Sequence, residues 1–198
     1  MITRRQAGAR ILASAALAAA PTIAVAHELI PLDLPPPRSE GGQSLTAALK
    51  LRRSTREYSD RPLPVQVLSD LLWTAFGVNR PSGDRTAPYW RHVMVMDIYV
   101  AMAGGVWLYE PKAHTLLPRL KDAIRAQTGV QDFVATAPLN LVYVAYGERM
   151  TDVSSEDRRL HASVIPASSA RTFICSAPRM GSPRSFGRRL TIRNSPGP

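Results

Sequence analysis

The 198-residue chain has one cysteine, Cys175. A lone thiol excludes an internal disulfide framework, a CxxC redox pair and a cysteine-rich zinc site. The four histidines, His27, His92, His114 and His161, are scattered and never take the HExxH spacing of a zinc enzyme. No metal site is expected. The central region holds no apolar run of about 18 residues, so no membrane span is expected there. There is no P-loop, no GxGxxG cradle and no serine in a nucleophile-elbow context.

Acidic residues are missing from both ends. The chain carries 25 Lys and Arg against 15 Asp and Glu, a net charge of +10. Residues 1–26 hold three Arg and no acid, and residues 165–198 hold six Arg and no acid. Residues 27–164 therefore keep 16 basic and 15 acidic residues, a net of +1. A nucleic-acid surface needs its positive patch on the folded part, so this distribution argues against a polyanion partner.

What is present divides into four parts. Residues 1–26 read as an export signal: Arg4-Arg5, an apolar stretch from Ile11 to Val25, and Ala24-Val25-Ala26 as an A-x-A cleavage site before His27. The arginine pair points to the twin-arginine route, although Gln6 stands where that signal has a bulky apolar residue. An ordinary secretory signal or an uncleaved anchor also fits; each places the protein outside the cytoplasm, with the periplasm as destination. Residues 27–43, with Pro31, Pro35, Pro36, Pro37 and Gly41-Gly42, read as an extended linker.

Residues 44–164 form the expected domain. Ser44 is a helix cap before Leu45, Ala48 and Leu49. Val65, Leu68, Leu71, Leu72 and Ala75 share one face of a second helix that Pro64 opens. Residues 77–88 are a loop, residues 92–102 a strand, and Gly104-Gly105 turns into a second strand at Val106–Tyr109. The spacing predicts a helix over 116–127 and a helical turn over 132–136. Residues 139–145 predict a strand buried on both faces. Ser154, followed by Glu156 and Asp157, starts a last helix that runs to Val164. The order ααββααβα gives an α+β or mixed α/β fold.

The densest polar group of this domain is Arg52, Arg53, Ser54 and Arg56. Three guanidiniums and a hydroxyl within five residues suit a phosphate. A solvated basic turn has the same composition, and the residues alone leave both readings open. Tyr89 and Trp90 fit either a platform for a planar ligand or the core.

Several motifs then fall in a familiar order. Leu51-Arg52-Arg53-Ser54-Thr55-Arg56-Glu57-Tyr58 is similar to the opening R-x-S-x-R-x-F/Y of the nitroreductase superfamily of FMN flavoproteins. Leu71-Leu72-Trp73-Thr74-Ala75-Phe76-Gly77-Val78-Asn79-Arg80 resembles that family's LLWAAxGxNR segment, and Thr86-Ala87-Pro88 resembles the approach to its Pro-Ser flavin turn. Tyr89 stands in place of that serine, and Trp90-Arg91-His92 in place of small residues. The 97–116 region resembles the hairpin of the azoline-oxidising dehydrogenases of thiazole and oxazole peptide biosynthesis. The resemblance implies a nitroreductase-like α+β fold and a homodimer with FMN at its interface. It also implies hydride transfer between NAD(P)H or a small-molecule substrate and an acceptor. Arg52, Arg53, Ser54 and Arg56 are the implied FMN ligands, with Arg91 as an additional one; no catalytic side chain is assigned. The alternative is a degenerate, inactive chain or a flavin- or ligand-binding module without turnover.

Residues 165–198 are rich in Ser, Pro and Arg and show no helical or strand period, so they are expected to be disordered. The family instead continues with D-T-G-x-I-x-Q-N-V-Y-L and G-L-x-T-V. Reading the third base of each codon with the first two of the next admits D-T-G-F-I-G-Q-N from Val164 onward when Arg171 is an AGR codon. The shifted frame goes on to admit V-Y-L and G-L-A-T-V. The sequence therefore predicts one nucleotide lost near codon 164, an out-of-frame tail, and a chain that as written folds poorly and binds FMN weakly or not at all; a genuine disordered basic tail is the alternative. Resequencing the gene at that codon is expected to restore the longer frame. An unbroken frame with matching transcripts would contradict it.

Overall fold

The computed structural model describes residues 29–41, 43–54, 56–59, 61–176 and 192–194, with side chains through residue 169. The expected export signal lies outside the described residues, as does most of the tail. One sheet, in the order β1-β4-β3-β2-β5-β6, is the centre of the fold. Its strands are β1 (Leu32–Asp33), β2 (Met96–Met102), β3 (Gly105–Glu110), β4 (Thr115–Leu120), β5 (Leu139–Ala145) and β6 (Ile192–Asn194). The first five pair antiparallel, and β6 runs parallel to β5. The helices are α1 (Leu45–Leu51), α2 (Val65–Phe76), α3 (Phe133–Thr136) and α4 (Ser155–Ser176). The α+β fold class is as expected.

Local signals place the helix starts. Ser44 Oγ accepts the Ala47 N–H at 3.2 Å, closing the first turn of α1. Pro64 caps α2, whose Leu68, Leu71, Leu72, Ala75 and Phe76 are buried. They pack with Met96, Ile98 and Val100 of β2, Trp107 and Tyr109 of β3, and Leu139, Leu141 and Tyr143 of β5. The β2–β3 hairpin forms as expected, but its turn is Ala103-Gly104; Gly105, expected in the turn, opens β3 and pairs with Met102. Gly105 takes φ +142°, and a Cβ there would lie 2.5 Å from the Leu120 carbonyl oxygen, so only glycine fits.

Four further expectations are corrected. Residues 116–127 are not a helix: Thr115–Leu120 is β4, and only Arg125–Thr128 coils, as a 3-10 turn. Leu116, Leu117 and Leu120 fit helical spacing, but pairing with β3 decides their state. Pro118, which lacks a donor, falls where β1 no longer covers β4.

Strand β5 is buried on one face only. Leu139, Leu141, Tyr143 and Ala145 face the core, while Asn140, Val142 and Val144 are half-buried. Asn140 Nδ2 bonds Thr128 Oγ1 at 2.9 Å and the Val134 carbonyl at 3.0 Å, which accounts for a polar residue in an otherwise apolar run.

The last helix does not stop at Val164, and the segment expected to be disordered is helical through Ser176. Ile165, Pro166 and Ser169 are buried. Ser169 Oγ donates to the Ala75 carbonyl at 2.5 Å and lies 3.3 Å from the Tyr143 hydroxyl. Contacts to α2 and β5 hold this half of α4, which has no apolar stripe of its own.

The Pro-rich segment is extended but is not a free linker. Its prolines donate nothing, yet their carbonyls accept from α2: Ser69 Oγ reaches the Pro35 oxygen at 2.5 Å and Gln66 Nε2 the Pro36 oxygen at 2.9 Å. Leu34 is buried. Ser69 spends its single proton on Pro35, so His114 Nε2, 2.7 Å away, donates to Ser69 Oγ. His114 Nδ1 then accepts from the Tyr109 hydroxyl at 2.9 Å. This requires the neutral imidazole, and burial lowers the His114 pKa in the same direction, against the Pro35 carbonyl and Asp70.

The strap is also clamped by charge. Arg38 Nε lies 2.8 Å and Nη2 2.5 Å from Asp70 Oδ2, and the Arg38 N–H donates to Oδ1 at 2.8 Å. Burial raises the Asp70 pKa, but the Arg38 and Gln66 bonds outweigh it and leave it lowered. Asp70 is 11% exposed and Arg38 60%, so the clamp contributes about 1–2 kcal/mol, discounted for screening. That stability is present above the ordinary carboxylate pKa of about 3.9 and is lost as pH falls through the lowered folded value. Arg38→Ala is expected to lose about 1–2 kcal/mol in denaturant unfolding at pH 7 and to converge with the parent as pH falls through the lowered Asp70 value. Equal stability at pH 7 would contradict the clamp.

Candidate functional site

Two cationic groups flank the sheet, and they differ in every physical respect. The first follows α1. Arg52 ends the helix in extended conformation, its N–H reaching the Leu49 carbonyl at 3.3 Å. Arg52, Arg53, Ser54 and Arg56 are all exposed. The Arg56 guanidinium lies 5.9 Å from the Phe133 ring centroid, and Tyr58 packs against the same ring at 6.3 Å. Burial pushes the Tyr58 hydroxyl pKa up, partly offset by Arg56, and its oxygen is buried with no partner among the described residues. Phe133 of α3 thereby anchors the far end of the arginine segment. Arg52, Arg53 and Arg56 make no ion pair with the described residues.

The second group is built by the loop after α2. The Gly77 N–H bonds the Trp73 carbonyl at 2.7 Å, and a Cβ at Gly77 would lie 2.3 Å from Trp73 Cδ1. Trp73 Nε1 donates to the Val78 carbonyl at 2.9 Å. The loop returns through a Val78–Arg85 bridge, and Thr86 donates from its N–H to the Gly77 oxygen and from Oγ1 to the Trp73 oxygen, each at 2.9 Å. The chain is thus closed on the C-terminus of α2 before it reaches residues 87–92.

Asp84 organises the mouth of this loop. It accepts from the Tyr89 hydroxyl at 2.6 Å and Ser82 Oγ at 2.7 Å, and His92 Nδ1 is 3.1 Å away. The Tyr89 bond, then the Ser82 bond, bring its pKa to about 2. The Tyr89 ring stands edge-on to both Phe76 and His92. Trp90 is buried, so of the two aromatics it is the one that joins the core. Arg91 and His92 follow with φ of 41° and 59°, left-handed conformations carried here by side-chain-bearing residues. Arg91 is exposed and stacks over Trp90 at 5.1 Å. Arg52, Arg53, Ser54 and Arg56 share one segment after α1, and Arg91 stands on the separate 87–92 turn.

Sequence reasoning missed Arg85. It is 4% exposed and borders two cavities. The outer cavity, about 400 Å³, is rimmed by Arg80, Asp84, Tyr89 and His92. The inner, about 260 Å³, lies against Phe76, Met96, Tyr109 and Glu110. Arg85 Nη2 reaches Met94 Sδ at 3.5 Å and the guanidinium sits 5.6 Å from the Phe76 centroid. Its Nε and Nη1 are buried with no acceptor among the described residues. Burial lowers its pKa, opposed first by Glu110. Nothing in the order of residues distinguishes this arginine from exposed Arg80; only the return of the loop buries it.

Among the described residues, no group of three or more His, Cys, Asp or Glu is placed to hold a metal. No described helix is long and apolar enough to cross a membrane.

Comparison with known proteins agrees with this architecture. The nitroreductase family profile matches residues 49–181. A Methanocaldococcus jannaschii protein described as a nitroreductase is 33% identical over 112 residues, 52% of this chain and 57% of that protein. The chain thus spans little more than half the length of this curated relative. A crystal structure from Ralstonia eutropha JMP134, also described as a nitroreductase, is 39% identical with a TM-score of 0.72. That match covers 76% of this chain and 72% of the other. One from Anabaena variabilis ATCC 29413 shares the fold at 20% identity and a TM-score of 0.52, over 67% of this chain and 30% of its own. The profile match takes in the arginine segment, both cavities and α4, and on it the chain belongs to the nitroreductase family, whose members are oxidoreductases that are generally flavin-dependent.

Proposed function

We propose that the chain is the core of an FMN-dependent oxidoreductase in which Arg52, Arg53, Ser54 and Arg56 hold the FMN phosphate and ribityl chain. The observation that carries this reading is the donor set itself. Three guanidiniums and a hydroxyl stand exposed on one extended segment, with no acidic partner among the described residues. A phosphate dianion supplies the acceptors that such a set lacks. Arg91, over Trp90, is a secondary contributor from the neighbouring turn.

Bound FMN supplies hydride transfer at its N5 between NAD(P)H or a substrate and an acceptor. The chain's part is placement. Phe133 fixes the position of Arg56, the buried Trp90 closes the turn beneath Arg91, and the Tyr89–Asp84–His92 cluster holds the mouth of the outer cavity. The azoline-oxidising dehydrogenases are the proposed subgroup. A reading as a binding module without turnover is favoured by one observation: Tyr89, Trp90, Arg91 and His92 fill the turn where the family pattern has small residues.

The proposal includes a homodimer. Leu45 and Leu49 of α1 are 59% and 48% exposed, and Leu160 and Val164 of α4 are 58% and 50% exposed. Each pair is spaced i, i+4, and α1 packs against α4, so the four form an apolar surface suited to a second copy. Leu49→Asp with Leu160→Asp is expected to shift sedimentation to the monomer. An unchanged sedimentation coefficient would contradict this surface.

Flavin absorbance and FMN titration test the cofactor on this chain and on its frame-restored version. The frame-restored protein is expected to retain FMN and the chain as written to retain less. Arg52→Ala with Arg53→Ala is expected to weaken FMN binding at least tenfold in either. NAD(P)H oxidation by the same samples separates an enzyme from a binding module. Absence of FMN from both proteins, or a double variant that binds as the parent does, would overturn the assignment.

A further inference from the structure

We propose that His114 is a proton-controlled latch on the Pro-rich strap: its neutral ring holds residues 32–35 against α2, and uptake of one proton frees them while Arg38 stays clamped. The latch is independent of the proposed flavin chemistry. His114 holds the strap at two points. Its backbone carbonyl accepts the Leu34 N–H at 3.2 Å, which carries the β1–β4 pairing one residue further. Its ring reaches the strap through Ser69, whose Oγ lies 2.7 Å from Nε2 and donates to the Pro35 carbonyl at 2.5 Å. The residue takes φ 53°, a left-handed conformation that a histidine keeps when its surroundings compensate for the strain.

The protons around the ring allow one charge state. Ser69 is fully buried, and the Pro35 oxygen takes its single proton. Nε2 therefore carries a proton, and Nδ1 keeps the lone pair that accepts from the Tyr109 hydroxyl at 2.9 Å. A second proton enters at Nδ1, where it meets the Tyr109 O–H. That hydroxyl must then turn away, and no other hydrogen bond joins it to the described residues, while Tyr109 is 3% exposed. Closing the strap over a protonated ring leaves a buried hydroxyl unpaired and a charge partly removed from water.

The charges on the surrounding elements do not reverse this. Burial lowers the His114 pKa, against the Pro35 carbonyl of the strap and Asp70 of α2, which favour the charged ring. Asp70 is already bonded by Arg38 and Gln66. Asp33 of the strap accepts from Thr115 Oγ1 of β4 at 2.7 Å. The β3–β4 turn that carries His114 adds Glu110 and Lys112, one charge of each sign. Burial keeps the Tyr109 hydroxyl neutral, although Arg85 favours its ionised form. The packed ring thus takes a proton less readily than an open one. The closed strap is fully favoured above the ordinary histidine value of about 6.5 and loses ground as pH falls below it. Asp70, whose pKa the Arg38 and Gln66 bonds lower in spite of burial, keeps its charge across that window, so the Arg38 end stays shut.

Amide hydrogen exchange at about pH 7.5 and about pH 5, corrected for intrinsic rates, reads the latch. It is measured on the full chain as written and frame-restored, since residues 29–115 are the same in both. The Leu34 amide is expected to lose protection roughly threefold or more at the lower pH, and the Arg38 amide, which donates to Asp70, to change less than about twofold. His114→Gln offers a donor toward Ser69 without titrating, so its Leu34 protection is expected to be the same at both pH values. If that variant does not hold the strap at the higher pH, the parent's own ring decides. Its titration midpoint by NMR is expected below about 6.5 and to coincide with the loss of Leu34 protection. Leu34 protection on the parent that does not fall at the lower pH, an Arg38 loss equal to the Leu34 loss, or a ring that titrates at or above its ordinary value would overturn the proposal. So would a His114→Gln variant that keeps the parent's pH dependence.

Discussion

The close approach of Gly77 to Trp73 is the constraint on which the site depends. Helix α2 ends at Gly77 in extended backbone, and the Trp73 ring and backbone occupy the space a side chain there would need. The tryptophan then holds the departing chain through Nε1 and the returning chain through its carbonyl. Those bonds fix the Val78–Arg85 bridge, and the bridge sends Arg85 inward and the 87–92 turn outward. Both cavities, the Asp84 cluster and the left-handed turn follow from one helix terminus. The opposite face of α2 is held as firmly, since Gln66, Ser69 and Asp70 satisfy the Pro-rich strap.

The two cationic groups answer different electrostatic problems. Arg52, Arg53 and Arg56 stand in solvent, where each is fully hydrated and an added dianion is gained by several charge-assisted bonds at once. Arg85 has left water, and its guanidinium lies against the Phe76 ring and Met94 Sδ. An exposed cluster suits a phosphate that arrives with its own charge. The neutral balance of residues 27–164 is consistent with this, and with no role for a polyanion.

Sequence made the locally determined parts legible. The Ser44 cap, the apolar face of α2 and the β2–β3 hairpin each rest on residues close in the chain, and each was found, the hairpin with its turn one residue earlier than expected. What was misread depends on distant partners. Thr115–Leu120 has leucines at helical spacing and becomes a strand because β3 lies beside it. The prolines of the strap announced extension, but not that α2 would supply the donors. The continuation of α4 past Val164 has no amphipathic period, and the bond from Ser169 to Ala75 that ties it down spans 94 residues. Of the site, the arginine cluster was visible as composition, whereas Arg85 became distinct only through burial. Arg91, grouped with the cluster by resemblance, is carried by a different turn, over Trp90.

The central claim is that the segment after α1 receives the phosphate of a flavin. A crystal structure of the frame-restored chain with FMN tests it most directly. The account predicts the phosphate against Arg52, Arg53, Ser54 and Arg56. A phosphate seated on Arg80 and Arg85, or crystals grown in excess FMN that contain none, would contradict it.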